Sequence, residues 1–128
     1  MRVLLDTNAL LFVLAGGQRF RPATRRHLTE RVEAGFVSEI SLWEVATKRA
    51  AGKGAIGVTD ALDALEPSRL ALLPLRVAHV LAYQSLPWRT DHRDPFDRMI
   101  VAQAQAEGLT LVTSDRALAA YGVPVLPA

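Results

Sequence analysis

The 128-residue chain contains no cysteine, which excludes a disulfide framework, a thiolate zinc site and a cysteine nucleophile together. Any metal must be held on oxygen or nitrogen. Long hydrophobic runs are also missing. The opening segment MRVLLDTNALLFVLAGG has a basic second residue and an apolar stretch, but Asp6 and Asn8 interrupt it too early for a signal-peptide core. Nothing approaches the roughly 18 consecutive apolar residues that a membrane span requires, so a cytoplasmic protein without a membrane partner is expected. No Gly-x-Gly-x-x-Gly follows an apolar run and no P-loop is present, which removes the common dinucleotide and nucleoside-triphosphate signatures. Repeats and low-complexity tracts are absent; Gly16-Gly17 and the glycines from Gly52 to Gly57 are short loop punctuation.

What remains is the composition of an ordinary folded protein: 50% hydrophobic and 22% charged residues. A chain of this length forms one domain, here residues 1–128, and buries roughly two thirds of the surface that it exposes when unfolded. Apolar runs and helical periodicities alternate along it. Val3 to Leu5 read as a buried strand that passes at Asp6 into a helix reaching Leu14. Pro22 opens a second helix to about Ala34, Phe36 to Ser38 form a strand, and helices follow at Ser41 to Ala51 and Thr59 to Glu66. Leu70 to Leu75 form a third strand. Arg76 to Ser85 carries Val77, Val80, Leu81 and Gln84 at helical spacing before Pro87 stops it, and Trp88 to Arg93 is a polar loop. Asp94 and Pro95 start a helix that Gly108 ends; Leu109 to Thr113 is a buried strand, Asp115 to Tyr121 a short helix, and Val123 to Leu126 the last strand. Strands alternating with helices imply an α/β fold, a mainly parallel sheet of four to five strands covered on both faces.

In an open parallel sheet, ligands bind outside the carboxyl ends of the strands, so acids placed just after strands stand out. Asp6 and Asp115 each follow a strand directly. Glu44 lies in the first turn of the helix after the second strand, and Asp97 in the first turn of the helix opened by Pro95. Each acid also has an ordinary explanation: Asp6 and Asp115 as helix N-caps, Asp97 as a partner of a helix dipole, Ser41 with Glu44 as a capping box. Together they mean more. Several carboxylates held close repel one another, and a divalent cation relieves that repulsion. An all-oxygen set points to Mg²⁺ or Mn²⁺, because His27, His79 and His92 fit no ligand spacing and read as ordinary surface or loop residues. Asp94 reads as an N-cap beside the site. With the four acids set aside, fifteen basic residues face nine acidic ones, a surplus that suits a polyanionic partner.

The segments LLDTNALLFVL (4–14), SEISLWEVATKRAAGK (38–53), HRDPFDRMIVAQAQAEGLTLVTSD (92–115) and YGVPVL (121–126) resemble, in order and over nearly the whole chain, PIN-domain ribonucleases, and among them the VapC-type toxins of type II toxin-antitoxin systems. Asp-Thr-Asn after a first strand is a weak signal by itself, whereas DPFDRMIVAQA followed by LVTSD is quite specific. The resemblance implies a three-layer α/β/α sandwich, a Mg²⁺- or Mn²⁺-dependent endoribonuclease, an RNA substrate, a cognate VapB-type antitoxin and a homodimer. It assigns the family's acids to Asp6, Glu44, Asp97 and Asp115, with Thr7, Asn8, Thr113 and Ser114 as supporting polar groups.

Such a site polarises a phosphodiester and acidifies a water that attacks phosphorus in line with the leaving 3′ oxygen. Asp6 and Asp97 would be the principal ligands, Asp115 a direct or water-mediated one, and Glu44 a ligand or the base that takes the proton. Lys48, Arg49, Arg93 and Arg98 are rim candidates for RNA phosphates. For Arg49 a solvated helix face is the simpler reading, and Lys48 also stands at i+4 from Glu44, where an ordinary helix ion pair forms. Leu11, Phe12, Leu42, Trp43 and Trp88 are core residues or partner-facing ones. Two rivals stand beside this reading. A catalytically silent PIN-like module binding RNA or protein would need a broken acid set, and the set is intact. A phosphotransferase or receiver-type domain would keep a lysine on a late strand, whereas the two lysines here are Lys48 and Lys53.

Overall fold

The computed structural model describes residues 1–128. Its elements are β1 (Arg2–Leu5), α1 (Thr7–Leu14), α2 (Pro22–Glu30), β2 (Ala34–Ser38), α3 (Glu39–Ala50), α4 (Val58–Leu65), β3 (Leu70–Leu73), α5 (Val77–Gln84), α6 (Pro95–Glu107), β4 (Thr110–Thr113), a 3₁₀ helix (Arg116–Tyr121) and β5 (Val125–Pro127). The five strands form one sheet in the order β3-β2-β1-β4-β5, and every pairing is parallel.

Alternation along the strands builds two cores. Leu4 and Leu111 point to the face covered by α5 and α6, where they meet Ile100, Val101, Ala104 and Leu118. Val3, Leu5, Val37 and Val112 point to the opposite face, against Ala9 and Leu10 of α1 and Ala61 and Leu65 of α4. Each fully buried leucine contributes about 1.5–3 kcal/mol through removal of its side chain from water. The result is a three-layer α/β/α sandwich, as expected.

Several boundaries differ from the sequence reading: β2 starts at Ala34, β3 ends at Leu73 and β5 starts at Val125, and two helix ends differ with a clear cause. The helix opened by Pro22 ends at Glu30, not near Ala34, because Ala34 is drawn into the sheet opposite Arg2 and the Glu33 amide donates to the Met1 carbonyl. The third helix starts at Glu39, before Ser41: the Ser38 hydroxyl accepts from the Ile40 amide and caps it. A Ser41–Glu44 capping box is therefore absent, and both side chains are buried inside the helix. Gly108 ends α6 at φ 66°, the left-handed cap that glycine adopts without a Cβ penalty.

The apolar stripe Val77, Val80 and Leu81 of α5 is exposed. The face that α5 turns to α6 instead carries His79, Ala82 and Tyr83. His79 is fully buried and is no surface residue. Its Nδ1 faces the Arg76 amide at 3.0 Å and its Nε2 faces Glu107 at 2.8 Å. Polar satisfaction of this kind makes burial of an imidazole tolerable.

The chain adds β2 and β3 on one side of β1, then crosses to add β4 and β5 on the other. The reversal falls between β1 and β4, where the loops leaving two adjacent strands diverge and open a crevice at their carboxyl ends. Asp6 ends β1, and Asp115 follows β4.

Candidate metal centre

Asp6 is only 4% exposed although it is a carboxylate. It is the N-cap of α1: Oδ1 accepts from the Ala9 amide at 2.8 Å, and Oδ2 accepts from the Thr113 hydroxyl at the end of β4. Capping and site placement are one geometry here, because a cap that follows a parallel strand points across its carboxyl end. Asp115 repeats the arrangement one strand over, capping the 3₁₀ helix through Oδ1, which accepts from the Ala117 amide at 3.0 Å.

Glu44 reaches the same region from α3. Its Oε1 accepts from the Thr7 hydroxyl at 2.6 Å, the same hydroxyl lies 3.1 Å from the Ser41 oxygen, and Oε2 pairs with Lys48 at 3.1 Å. Thr7 and Thr113 thus hold two of the acids. Asn8 and Ser114, expected to assist, are exposed.

Asp97 stands in the first turn of α6, beneath the Asp94 cap, whose Oδ1 accepts from the Phe96 and Asp97 amides. Burial pushes the Asp97 carboxyl up to about 6, and the charges of Asp94, Glu44 and Asp6 push the same way, against a smaller opposing pull from His92. Asp6 is raised too: burial dominates, Glu44 and Asp115 add to it, and the bonds from Thr113 and Ala9 offset part. Mutual repulsion of this kind connects all four acids into one electrostatic unit.

His92, read from sequence as an ordinary loop residue, is a buried member of this cluster. Its Nε2 lies 3.3 Å from Asp115 Oδ2 and 3.5 Å from Asp97 Oδ2, and one ligand atom from each of the three residues fits within 4.8 Å of the others. The loop between α5 and α6 delivers it through the Arg89–His92 bridge, the His92 carbonyl faces the Tyr121 hydroxyl at 3.4 Å, and the two rings meet edge to face. Spacing in sequence carries no trace of this, because the three residues come from a loop, a helix start and a strand end.

Arg98 is a second correction. It does not line the rim: it is buried on the far side of α6, donating to the Pro87 carbonyl and the Tyr121 hydroxyl at 3.0 Å each, among the rings of Tyr83, Trp88 and Tyr121. One residue after Asp97, it points about 100° away around the helix, into the core. Arg49 is spent on the Ala55 carbonyl at 2.6 Å. Lys48 and Arg93 remain exposed. Trp43, next to Glu44, is 63% exposed and meets Phe96, next to Asp97, edge to face at 5.0 Å.

The donor set fits a divalent cation. Carboxylates arrive from four separate elements, two of them, Asp6 and Asp97, are driven toward protonation by burial and by neighbouring carboxylates, and Lys48 is the one ammonium paired within the group. A dication there removes the repulsion at its source.

No curated protein matches this sequence. Among solved structures, the chain is similar to VapBC2 from Rickettsia felis bound to a promoter DNA fragment, at TM-score 0.72 and 20% identity over 99% of this chain and 98% of that one. It is similar to DNA-bound VapBC from Salmonella typhimurium at TM-score 0.71 and 20% identity, covering 99% and 98%. A third likeness is to VapC20 from Mycobacterium tuberculosis, a sarcin-ricin-loop-cleaving toxin, at TM-score 0.62 and 17% identity, covering 98% and 99%. At these identities the likeness is one of fold. The family profile of the PIN domain, by contrast, matches residues 3–124 of the sequence itself, and the chain therefore belongs to the PIN domain family.

Proposed function

We propose that this protein is a Mg²⁺- or Mn²⁺-dependent endoribonuclease that acts in the cytoplasm as the toxin of a toxin-antitoxin pair. The observation that carries the reading is the convergence of Asp6, Glu44, Asp97 and Asp115 from four separate elements at the sheet's switch point, close enough for their charges to act on one another. Structural likeness to VapBC complexes, and to a toxin that cleaves the sarcin-ricin loop, supports RNA as the substrate class and an antitoxin as the partner.

Asp6 and Asp97 would hold the cation, with Asp115 beside them and Glu44 either a further ligand or the base. When bound, the ion supplies charge neutralisation at the phosphoryl group and acidifies a water molecule. The protein's own work is positional. Thr113 and the Ala9 amide fix Asp6, and Thr7 fixes one oxygen of Glu44 while Oε2 pairs with Lys48. As the base, Glu44 would accept the proton that the attacking oxygen loses as it closes on phosphorus. Arg93 and Lys48 supply positive charge at the mouth, where the phosphate backbone passes.

Unpartnered apolar surface supports the assembly side of the reading. Val77, Val80 and Leu81 on α5, together with Trp88, are exposed, and a second subunit or an antitoxin segment would cover them. The test is cleavage of structured and unstructured RNA by purified, antitoxin-free protein with Mg²⁺, Mn²⁺ or EDTA, beside Asp6→Asn and Asp97→Asn. Metal-dependent cleavage that vanishes in both variants is the expected result. Folded protein that cuts no RNA would leave a silent binding module instead.

A further inference from the structure

Granted the divalent-cation centre proposed above, on which this assignment rests, we propose that His92 is a nitrogen ligand of that cation, completing a mixed His/Asp/Asp face with Asp97 and Asp115. Three observations carry it. First, the imidazole is nine-tenths buried, and its Nε2 is aimed between two carboxylates that come from different elements. Second, the separations are those of neighbouring ligands. Two donor atoms bonded to one ion at about 2.1 Å stand about 3.0 Å apart at a right angle and about 3.4 Å apart at a tetrahedral one. Nε2 stands 3.3 and 3.5 Å from its two carboxylate oxygens, longer than the usual N–H···O bond of about 2.7–3.2 Å. Third, the backbone of His92 is held: the Tyr121 hydroxyl faces its carbonyl, and Arg98 holds that hydroxyl in turn.

The far nitrogen, Nδ1, is buried without a hydrogen-bond partner. Nothing on that side pins the tautomer, so Nε2 is free to present its lone pair. A ligating histidine normally donates its other N–H to a carboxylate or carbonyl that raises its basicity, and His92 lacks that support. Its contribution is therefore to the choice of metal more than to total affinity. Imidazole discriminates against Mg²⁺, which prefers oxygen, and favours Mn²⁺ and later first-row ions.

The test is Mn²⁺ binding to the metal-free full-length chain, followed by pulsed EPR. Wild-type protein should show ¹⁴N modulation from a directly coordinated imidazole, and growth with ¹⁵N-histidine should replace it by the ¹⁵N pattern without any substitution. In His92→Gln, checked for folding by circular dichroism, Mn²⁺ should still bind, the nitrogen modulation should disappear, and the Mn²⁺/Mg²⁺ affinity ratio should fall by about tenfold. Bound Mn²⁺ with no nitrogen coupling, or an unchanged ratio in the variant, overturns the assignment while leaving the acid centre standing. No Mn²⁺ binding by wild-type protein, or binding that Asp97→Asn does not weaken, overturns the centre itself and the assignment with it.

Discussion

Replacing Asp97 by asparagine should abolish cleavage and at the same time make the metal-free protein more stable above neutral pH. In the folded chain the Asp97 carboxyl keeps its proton until about pH 6, whereas unfolded it ionises near its ordinary value of 3.8. Between those values the folded state holds the extra proton, so stability falls as pH rises, and above about 6 the loss is complete. At about 1.4 kcal/mol for each tenfold change in proton affinity, the gap is on the order of 3 kcal/mol. Because the side chain keeps 26% of its surface in solvent, screening brings this to about 2 kcal/mol. Asparagine carries no charge and is nearly isosteric, and the Asp94 cap on the residue 97 amide survives the change. Urea unfolding in EDTA, followed by far-UV circular dichroism from pH 3 to 8, should therefore show the variant level with wild type at the acid end, below the unfolded value of 3.8, and about 2 kcal/mol more stable at pH 8. For a domain of this size that is about 7 °C in Tm. Excess Mn²⁺ or Mg²⁺ should close the difference by stabilising wild type, by about 2.7 kcal/mol at a hundred times Kd. Parallel pH curves for the two proteins, with the variant no more stable at pH 8, would refute the claim that this carboxylate is held against its own charge.

Three further outcomes follow from named contacts. Thr113→Val removes the hydroxyl that donates to Asp6 and lowers its pKa; Mn²⁺ affinity at pH 7 should drop about tenfold, and the pH of half-maximal binding should rise, both read by calorimetry across pH. Arg98→Met deletes the bonds to Pro87 and Tyr121 inside the aromatic cluster and should cost about 2–3 kcal/mol in denaturant titration, with added hydrogen exchange in the loop that holds His92. Lys48→Gln breaks a half-exposed i,i+4 pair and should change stability by less than about 0.5 kcal/mol, while Mn²⁺ binding tightens a few-fold because one competing positive charge has left Glu44.

The placement of Asp6 and Asp115 at the sheet's edge was legible because each is tied to a local signal. A carboxylate that ends a parallel strand and begins a helix must lie at the sheet's carboxyl edge, and Asp6 and Asp115 satisfy both conditions with one side chain. Their capping and site roles looked like competing explanations in the sequence; in the structure Oδ1 caps in both, while Oδ2 accepts from Thr113 in Asp6 and lies 3.3 Å from His92 in Asp115. The Ser41–Glu44 pattern misled for a related reason, since any helix can begin a turn early when a better cap stands upstream, as Ser38 does.

His92, Arg98 and the buried face of α5 were not legible, and the three failures have a common physical origin. Periodicity reports where apolar residues recur, not which side chains a neighbouring element can satisfy. In α5 the periodic stripe of Val77, Val80 and Leu81 faces solvent, while His79 takes the buried face because Arg76, Gln103 and Glu107 meet its nitrogens. Arg98 goes inward because a ring cluster and a free carbonyl receive a guanidinium there. His92 reaches the acids only through a loop whose course depends on Tyr121, which Arg98 in turn anchors. The basic residue that seemed placed to grip RNA is thus a buried support of the one nitrogen donor beside the acids, and loosening Arg98 should disturb the metal preference before it disturbs the carboxylates.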